Sequence, residues 1–219
     1  MKSKKFKNLD IIIDNQNSWM WQYISAIEDT LSSFTDSVRI FRDSKNIEEG
    51  DVLFILSCDK ILKTEDLNKH KNNIVIHASD LPSGKGWSPW SWEIENGAEF
   101  LTLTLFEAEE ELDSGAWYLK KKINLNGGEL IDDVREIIVL NEFNLISQYL
   151  SSYPIKPNRQ SGIETFYKKR TVKNQELDIN KTILEQFNLL RVCDNENYPA
   201  HFFINGKKYI LKIEDENDE

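Results

Sequence analysis

Over the first half of the chain, short apolar runs alternate with segments whose apolar residues fall at helical spacing. LDIIID, from Leu9 to Asp14, predicts a strand covered on both faces. In the following DNQNS, Asn17 or Ser18 can cap a helix. Met20, Tyr23, Ile24, Ile27 and Leu31 then recur at three- and four-residue steps and draw one apolar face. SVRIFRD and DVLFILSC supply two more strand-like runs, and a charged stretch from Thr64 to Asn72 reads as helical before the β-branched run NIVIHAS. Strands and helices in this order predict an α/β domain with a mainly parallel sheet.

From Ala98 the pattern changes. EFLTLTLFEA and AWYLKKKINL, on either side of an Asp-Ser-Gly turn, predict strands toward the far edge of the sheet. ELIDDVREIIVLNEFNLISQYL sets Leu130, Val134, Ile138, Leu145 and Tyr149 on one side of a long helix. PIKPNRQSG marks a boundary, giving a main domain over 1–153 and a small C-terminal extension over 154–212. In the extension INKTILEQFNLLRV reads as helical, and Asn205-Gly206 between β-rich runs signals a type I′ hairpin. The acidic tail, 213–219, is expected to be disordered.

Charge narrows the partners. With 27 basic and 37 acidic residues the net charge is −10, which argues against nucleic-acid binding, since that affinity comes from neutralising phosphates. A local pocket for one or two phosphates is still compatible with this balance. The two cysteines, Cys58 and Cys193, stand in unrelated contexts and read as reduced thiols, and no His/Cys spacing suits a metal. No stretch reads as a signal peptide or a membrane span, so a cytoplasmic location is expected.

The sequence has neither GxGxxG nor a P-loop. The segment from His77 to Pro89 stands out instead. A histidine directly after a buried strand lies where α/β sheets bind ligands, outside the carboxyl ends of the strands. LPSGKGWSPWSW then combines two Gly, two Pro and three Trp, whose faces can cover a ring. On the residues alone, a histidine after a strand is more often structural, tryptophans more often pack a core, and Asp113 before Gly115 is an ordinary turn residue. These residues mark a place rather than a reaction.

The run HASDLPSGKGWSP, followed by LTLTLFEAEEELDSG, resembles the formyltransferase family that uses N10-formyltetrahydrofolate. That family carries N-x-H-x-S-x-L-P-x-x-R-G and a later D-x-G. His77, Ser79, Leu81, Pro82 and Gly86 match, Lys85 stands in place of the Arg, and Asp113 to Gly115 supplies the second element. FILSCDKIL, KKRTVKNQELDIN and LLRVCDNENYPAHFF resemble further family elements in the same order. The resemblance implies a Rossmann-like fold and transfer of a formyl group to an amine. His77 would be the base, and Asp113 would fix its tautomer and stabilise the imidazolium. The folate would lie against Ser57, Cys58, Asp59, Lys60 and Ile61, with Phe106, Glu107 and Ala108 near the pterin.

IIIDNQNSWMWQY together with GKGWSPWSWEI resembles the branch that formylates nucleotide-linked amino sugars for bacterial surface glycans, including pseudaminic-acid-type routes. This implies an acceptor site near Asn15, Ser18, Trp19, Lys85, Gly86, Trp87, Ser88 and Pro89, with Lys85 meeting a phosphate. The alternatives are a non-catalytic folate- or nucleotide-binding relative and transfer to another amine. The terminal hairpin offers strands for a homodimer. One family element is missing: Val75 stands where the family has an Asn that donates to the developing oxyanion. Asn73 shares the face of His77, but four residues of strand put it roughly 13 Å away. Protonated His77 or a backbone N–H is expected to substitute.

Overall fold

The LDIIID run forms β1 (Leu9–Ile12), all four of whose residues are buried. In the computed structural model, which describes residues 5–216, it is followed by α1 (Ile24–Ser32), β2 (Val38–Phe41), β3 (Gly50–Ile55), a short α2 (Thr64–Leu67) and β4 (His70–His77). Then come β5 (Lys85–Gly86), α3 (Pro89–Glu95), β6 (Phe100–Glu107), β7 (Trp117–Asn124) and the long α4 (Ile131–Ser152). The chain closes with β8 (Phe166–Tyr167), α5 (Phe187–Leu190), β9 (Ala200–Ile204) and β10 (Lys207–Leu211).

The central sheet has the order β2-β1-β3-β4-β6-β7. The first four of these strands are parallel, while β6 and β7 are antiparallel to their neighbours at the far edge. This is the α/β architecture with a mainly parallel sheet that the alternating pattern predicts. Strand alternation divides the core between two faces. Ile11, Phe54 and Ile74 pack with Val134, Ile138 and Leu145 of α4 on one side. Ile12, Leu53, Ile55 and Leu62 form a smaller cluster on the other, with Val75 and Ala108 against it. His77 shares the strand face of Val75 and so belongs to this second side.

Two predicted helices are shorter in the structure. Of the stretch from Thr64 to Asn72 only α2 is helical, because His70, Asn72 and Asn73 pair with β3 in the sheet. INKTILEQFNLLRV folds as a 3-10 turn, Leu184–Gln186, and the four-residue α5. There the Thr182 N–H and hydroxyl both donate to Glu185, and Gln186 accepts from the Asp178 N–H, local bonds that compete with a longer helix. The hairpin forms as expected, with Asn205 at φ 50° and Gly206 at φ 77°.

Two ion pairs tie the residues after α4 to the sheet-bearing part of the chain. Arg191 meets Glu129 at 2.8 Å, and Arg135 meets Asp194 at 2.8 Å. Ile213, at the start of the tail expected to be disordered, exchanges two bonds with the Asn195 side chain. Residues 217–219 lie outside the described residues. No helix among the described residues is long and apolar enough to cross a membrane.

Glu142 is a misfit in the core face of α4: it is 6% exposed, and its Oε2 has no partner. Burial pushes its carboxyl up to about 8. The folded state therefore holds this proton more tightly than the unfolded chain, where the value is near 4.5. That contribution is complete below the unfolded value and is lost as pH rises through the folded one. Glu142→Gln is expected to raise the thermal midpoint over wild type by a margin that grows from pH 5 to pH 8 and then levels. Parallel melting curves across that range would assign the ionisation elsewhere.

Candidate active site

His77 ends β4 at the carboxyl edge of the parallel strands, the side on which such sheets bind ligands. Its Nε2 is 2.9 Å from the Gly84 carbonyl oxygen. A carbonyl only accepts, so Nε2 carries the proton, and in the neutral ring Nδ1 keeps a free lone pair. Gly84 reaches this position with φ +77°, and a Cβ there would lie 2.8 Å from the Ser79 side chain. Glycine is required on both counts.

The two candidate catalytic residues, distant in sequence, meet. Asp113 Oδ2 lies 3.7 Å from His77 Nε2, beyond hydrogen-bond range but close enough to pair with an imidazolium. The carboxylate is drawn instead to the Gly86 N–H, at 2.9 Å. The expectation that Asp113 fixes the tautomer is therefore replaced: the Gly84 carbonyl holds the His77 N–H, and Asp113 stands beside it as a carboxylate without a hydrogen bond to the ring. Asp113 itself sits at φ 50°, in a turn brought back over β6 by Gly115. A Cβ on Gly115 would meet the Glu107 carbonyl oxygen at 1.7 Å.

The Ser57–Ile61 loop and two of the expected acceptor residues also come together. Ser18 bonds Ser57 between hydroxyls at 2.6 Å, and the Asn15 amide donates to Asp59 at 3.3 Å. Asp14, which the sequence pattern leaves as the end of a strand, receives the Asp59 and Lys60 N–H groups at 2.6 and 3.2 Å. Ser57, Asp59, Lys60 and Ile61 are exposed. Cys58 is half-buried, and burial pushes its thiol up to about 12, which keeps it protonated and inert.

Other expected site residues are already engaged. Trp19 packs in the core, edge-on to Tyr23 and under the Arg135 guanidinium. Phe106 is buried, and the Glu107 carboxylate is bonded by the Asn72 amide (2.9 Å), the Asn73 N–H (2.5 Å) and the Tyr118 hydroxyl (2.7 Å). Ala108 donates its N–H to the Asn73 carbonyl and borders the smaller core cluster. Lys85 is only 1% exposed, and its ammonium pairs with Glu164 at 2.8 Å. The pairing of β5 with β8 draws it under the chain, so a phosphate contact would require the pair to open.

Gly86, at φ +96°, brings the backbone against Tyr167. Trp87 remains 37% exposed with the Lys169 ammonium 4.0 Å above its ring. Ser88 is exposed at φ 46°, and Pro89 is buried as the first residue of α3. Val75 packs against the smaller cluster, while the Asn73 amide donates to the Leu67 carbonyl at 2.9 Å. Neither supplies a side-chain donor beside His77. Sequence reasoning also passed over Glu93, whose carboxyl is pushed up to about 7 by burial and then by Asp80. Its signal was a charged residue among the apolar positions of WSWEI.

Comparison with known proteins places the chain in a family. A sequence model of the family described as "Formyl transferase" matches residues 30–150, more than half of the chain. The methionyl-tRNA formyltransferase of Thermosipho melanesiensis is 28% identical over 167 residues, covering 72% of this chain and 55% of that protein. The chain thus spans about half the length of this curated relative. Among solved structures, methionyl-tRNA formyltransferase from Clostridium thermocellum superposes with a TM-score of 0.77 at 19% identity, covering 97% of this chain and 95% of that one. A 4-N formyltransferase from Francisella tularensis gives 0.73 at 19% identity, with 97% and 99% covered. HypX from Aquifex aeolicus in complex with tetrahydrofolic acid gives 0.72 at 15% identity, with 95% and 37% covered. These likenesses establish a shared fold, and the matched segment contains both His77 and Asp113. The chain belongs to the formyl transferase family.

Proposed function

We propose that the chain moves a formyl group from N10-formyltetrahydrofolate to the amine of a nucleotide-linked amino sugar, with His77 as the base and Asp113 as its counter-charge. The observation that carries this reading is the His77 ring, held at Nε2 by the Gly84 carbonyl and flanked at 3.7 Å by Asp113. An amine that attacks a formyl carbon must shed a proton, and Nδ1 is the lone pair available to take it. The resulting imidazolium is stabilised by Asp113, and its Nδ1–H is a new donor in the site. That donor answers the lack of an amide at Val75.

The folate supplies the formyl group. A flat heterocycle fits an apolar floor edged by polar loop atoms, which the half-buried Val75, Cys58 and Ala108 beside Ser57–Ile61 provide. HypX, a relative in fold, binds tetrahydrofolic acid. For the acceptor, a net charge of −10 opposes a polyanion such as tRNA. Trp87 and Lys169 suit a nucleotide's base and phosphates. The sequence relatives, named for methionyl-tRNA, favour the other acceptor.

The test is incubation with N10-formyltetrahydrofolate and, separately, a panel of amino-sugar nucleotides or initiator methionyl-tRNA. Release of tetrahydrofolate with a formyl mass gained by one sugar nucleotide is the expected result. Formylated methionyl-tRNA instead would overturn the acceptor and keep the chemistry. Tight folate binding with no turnover on either would favour a non-catalytic relative.

A further inference from the structure

The segment after α4, which the sequence pattern marks as a boundary, runs back across both loops of the site. Asn158 pairs with Trp117 through two backbone bonds of 2.7 and 2.9 Å. Two residues on, the Gln160 amide nitrogen donates to the carbonyls of Asp113 (2.9 Å) and Gly115 (2.8 Å). Both partners are acceptors, so the amide orientation is fixed: reversing it would set oxygen against oxygen. In this orientation the Gln160 oxygen is buried without a partner, a cost that only the two donated bonds offset. They grip the turn on either side of Ser114, where Asp113 holds φ 50°, a conformation L-residues keep when their surroundings enforce it.

Thr165 performs the matching task on the other loop. Its hydroxyl accepts the Gly84 N–H at 2.8 Å, and its carbonyl accepts the Lys85 N–H at 2.9 Å. Gly84 is the residue whose carbonyl holds the His77 ring. Between the two grips the strap has little apolar anchorage: Ile163 is 84% exposed. Polar bonds to the two loops therefore carry its attachment.

We propose that Gln160 and Thr165 are positioning residues that, from one strap, set the separation between the Asp113 carboxylate and the His77 ring. The inference rests on His77 and Asp113 being the reacting pair. Misplacement of reacting groups by about an ångström costs on the order of 10² in rate. Gln160→Met keeps the side-chain length and removes the donors, and Thr165→Val keeps the shape and removes the hydroxyl. Each is expected to lower kcat by about 10², with KM for the folate changed by less than about threefold. Thr165→Ser is expected to recover most of the loss.

Coupling separates positioning from general support. In an Asp113→Asn background, Gln160→Met is expected to add less than about threefold, since it acts through that carboxylate. The full 10² loss in that background would overturn the proposal. A second readout needs no turnover: long-range proton–nitrogen spectra of the three histidine rings. The His77 Nε2 resonance is expected to move in both variants, with His70 and His201 unchanged. A His77 signal that stays in place in both overturns the inference at any activity. Full turnover in His77→Ala or Asp113→Asn would instead overturn the reading of the site, while the spectra still report on the clamp.

Discussion

His77→Ala is expected to lower formyl transfer by roughly 10²–10⁴-fold, the range over which a positioned acid–base group contributes. The ring is the group whose lone pair the tautomer leaves free, with the Asp113 carboxylate 3.7 Å from its other nitrogen. Little else should change. The loop bearing Gly84 keeps its bonds to Thr165, and the sheet pairing of β4 passes through backbone atoms. Steady-state rates beside a thermal melt make the check. A variant that melts like wild type and turns over at a wild-type rate would remove His77 from the mechanism.

Gly115→Ala should be the most damaging change of a single methyl. A Cβ at this position would lie 1.7 Å from the Glu107 carbonyl oxygen, well inside contact distance. The opposing atom is backbone, locked in the sheet by the bond from the Glu107 N–H to the Ala116 carbonyl, so it cannot swing aside as a flexible side chain would. Relief requires parting β6 from the turn, which also disturbs the Gln160 bonds and Asp113 two residues away. The expected cost is about 3 kcal/mol or more, read as a lower denaturation midpoint, with a loss of turnover greater than the loss of folded protein. Unchanged stability and rate would mean that the 108–116 loop shifts without penalty.

What the sequence made legible follows the range of the interactions involved. β1 and β3 were readable because burial on both faces leaves continuous apolar runs. The terminal hairpin was readable because Asn205-Gly206 satisfies its turn locally. β4 was readable only in its second half. Its opening, HKNN, looks like a helix or loop, since the amides of Asn72 and Asn73 are bonded in the sheet by Glu107, Tyr118 and Tyr153 for the first and the Leu67 carbonyl for the second, most of them partners visible only in three dimensions. Lys85 shows the same limit at the site. Its motif position was clear, but Glu164, which neutralises it, lies far along the chain. The pairing of His77 with Asp113 came from linked motifs, and the division of labour between Gly84 and Asp113 required coordinates.

The strap also has a consequence for the order in which the site is completed. All six strands of the central sheet and α4 precede it along the chain. During synthesis the sheet can therefore pair and its core close while the Gly84 N–H and the Asp113 carbonyl still await Thr165 and Gln160. Folding of the framework and competence of the site become separate events, the second timed by the emergence of residues that carry no chemistry themselves.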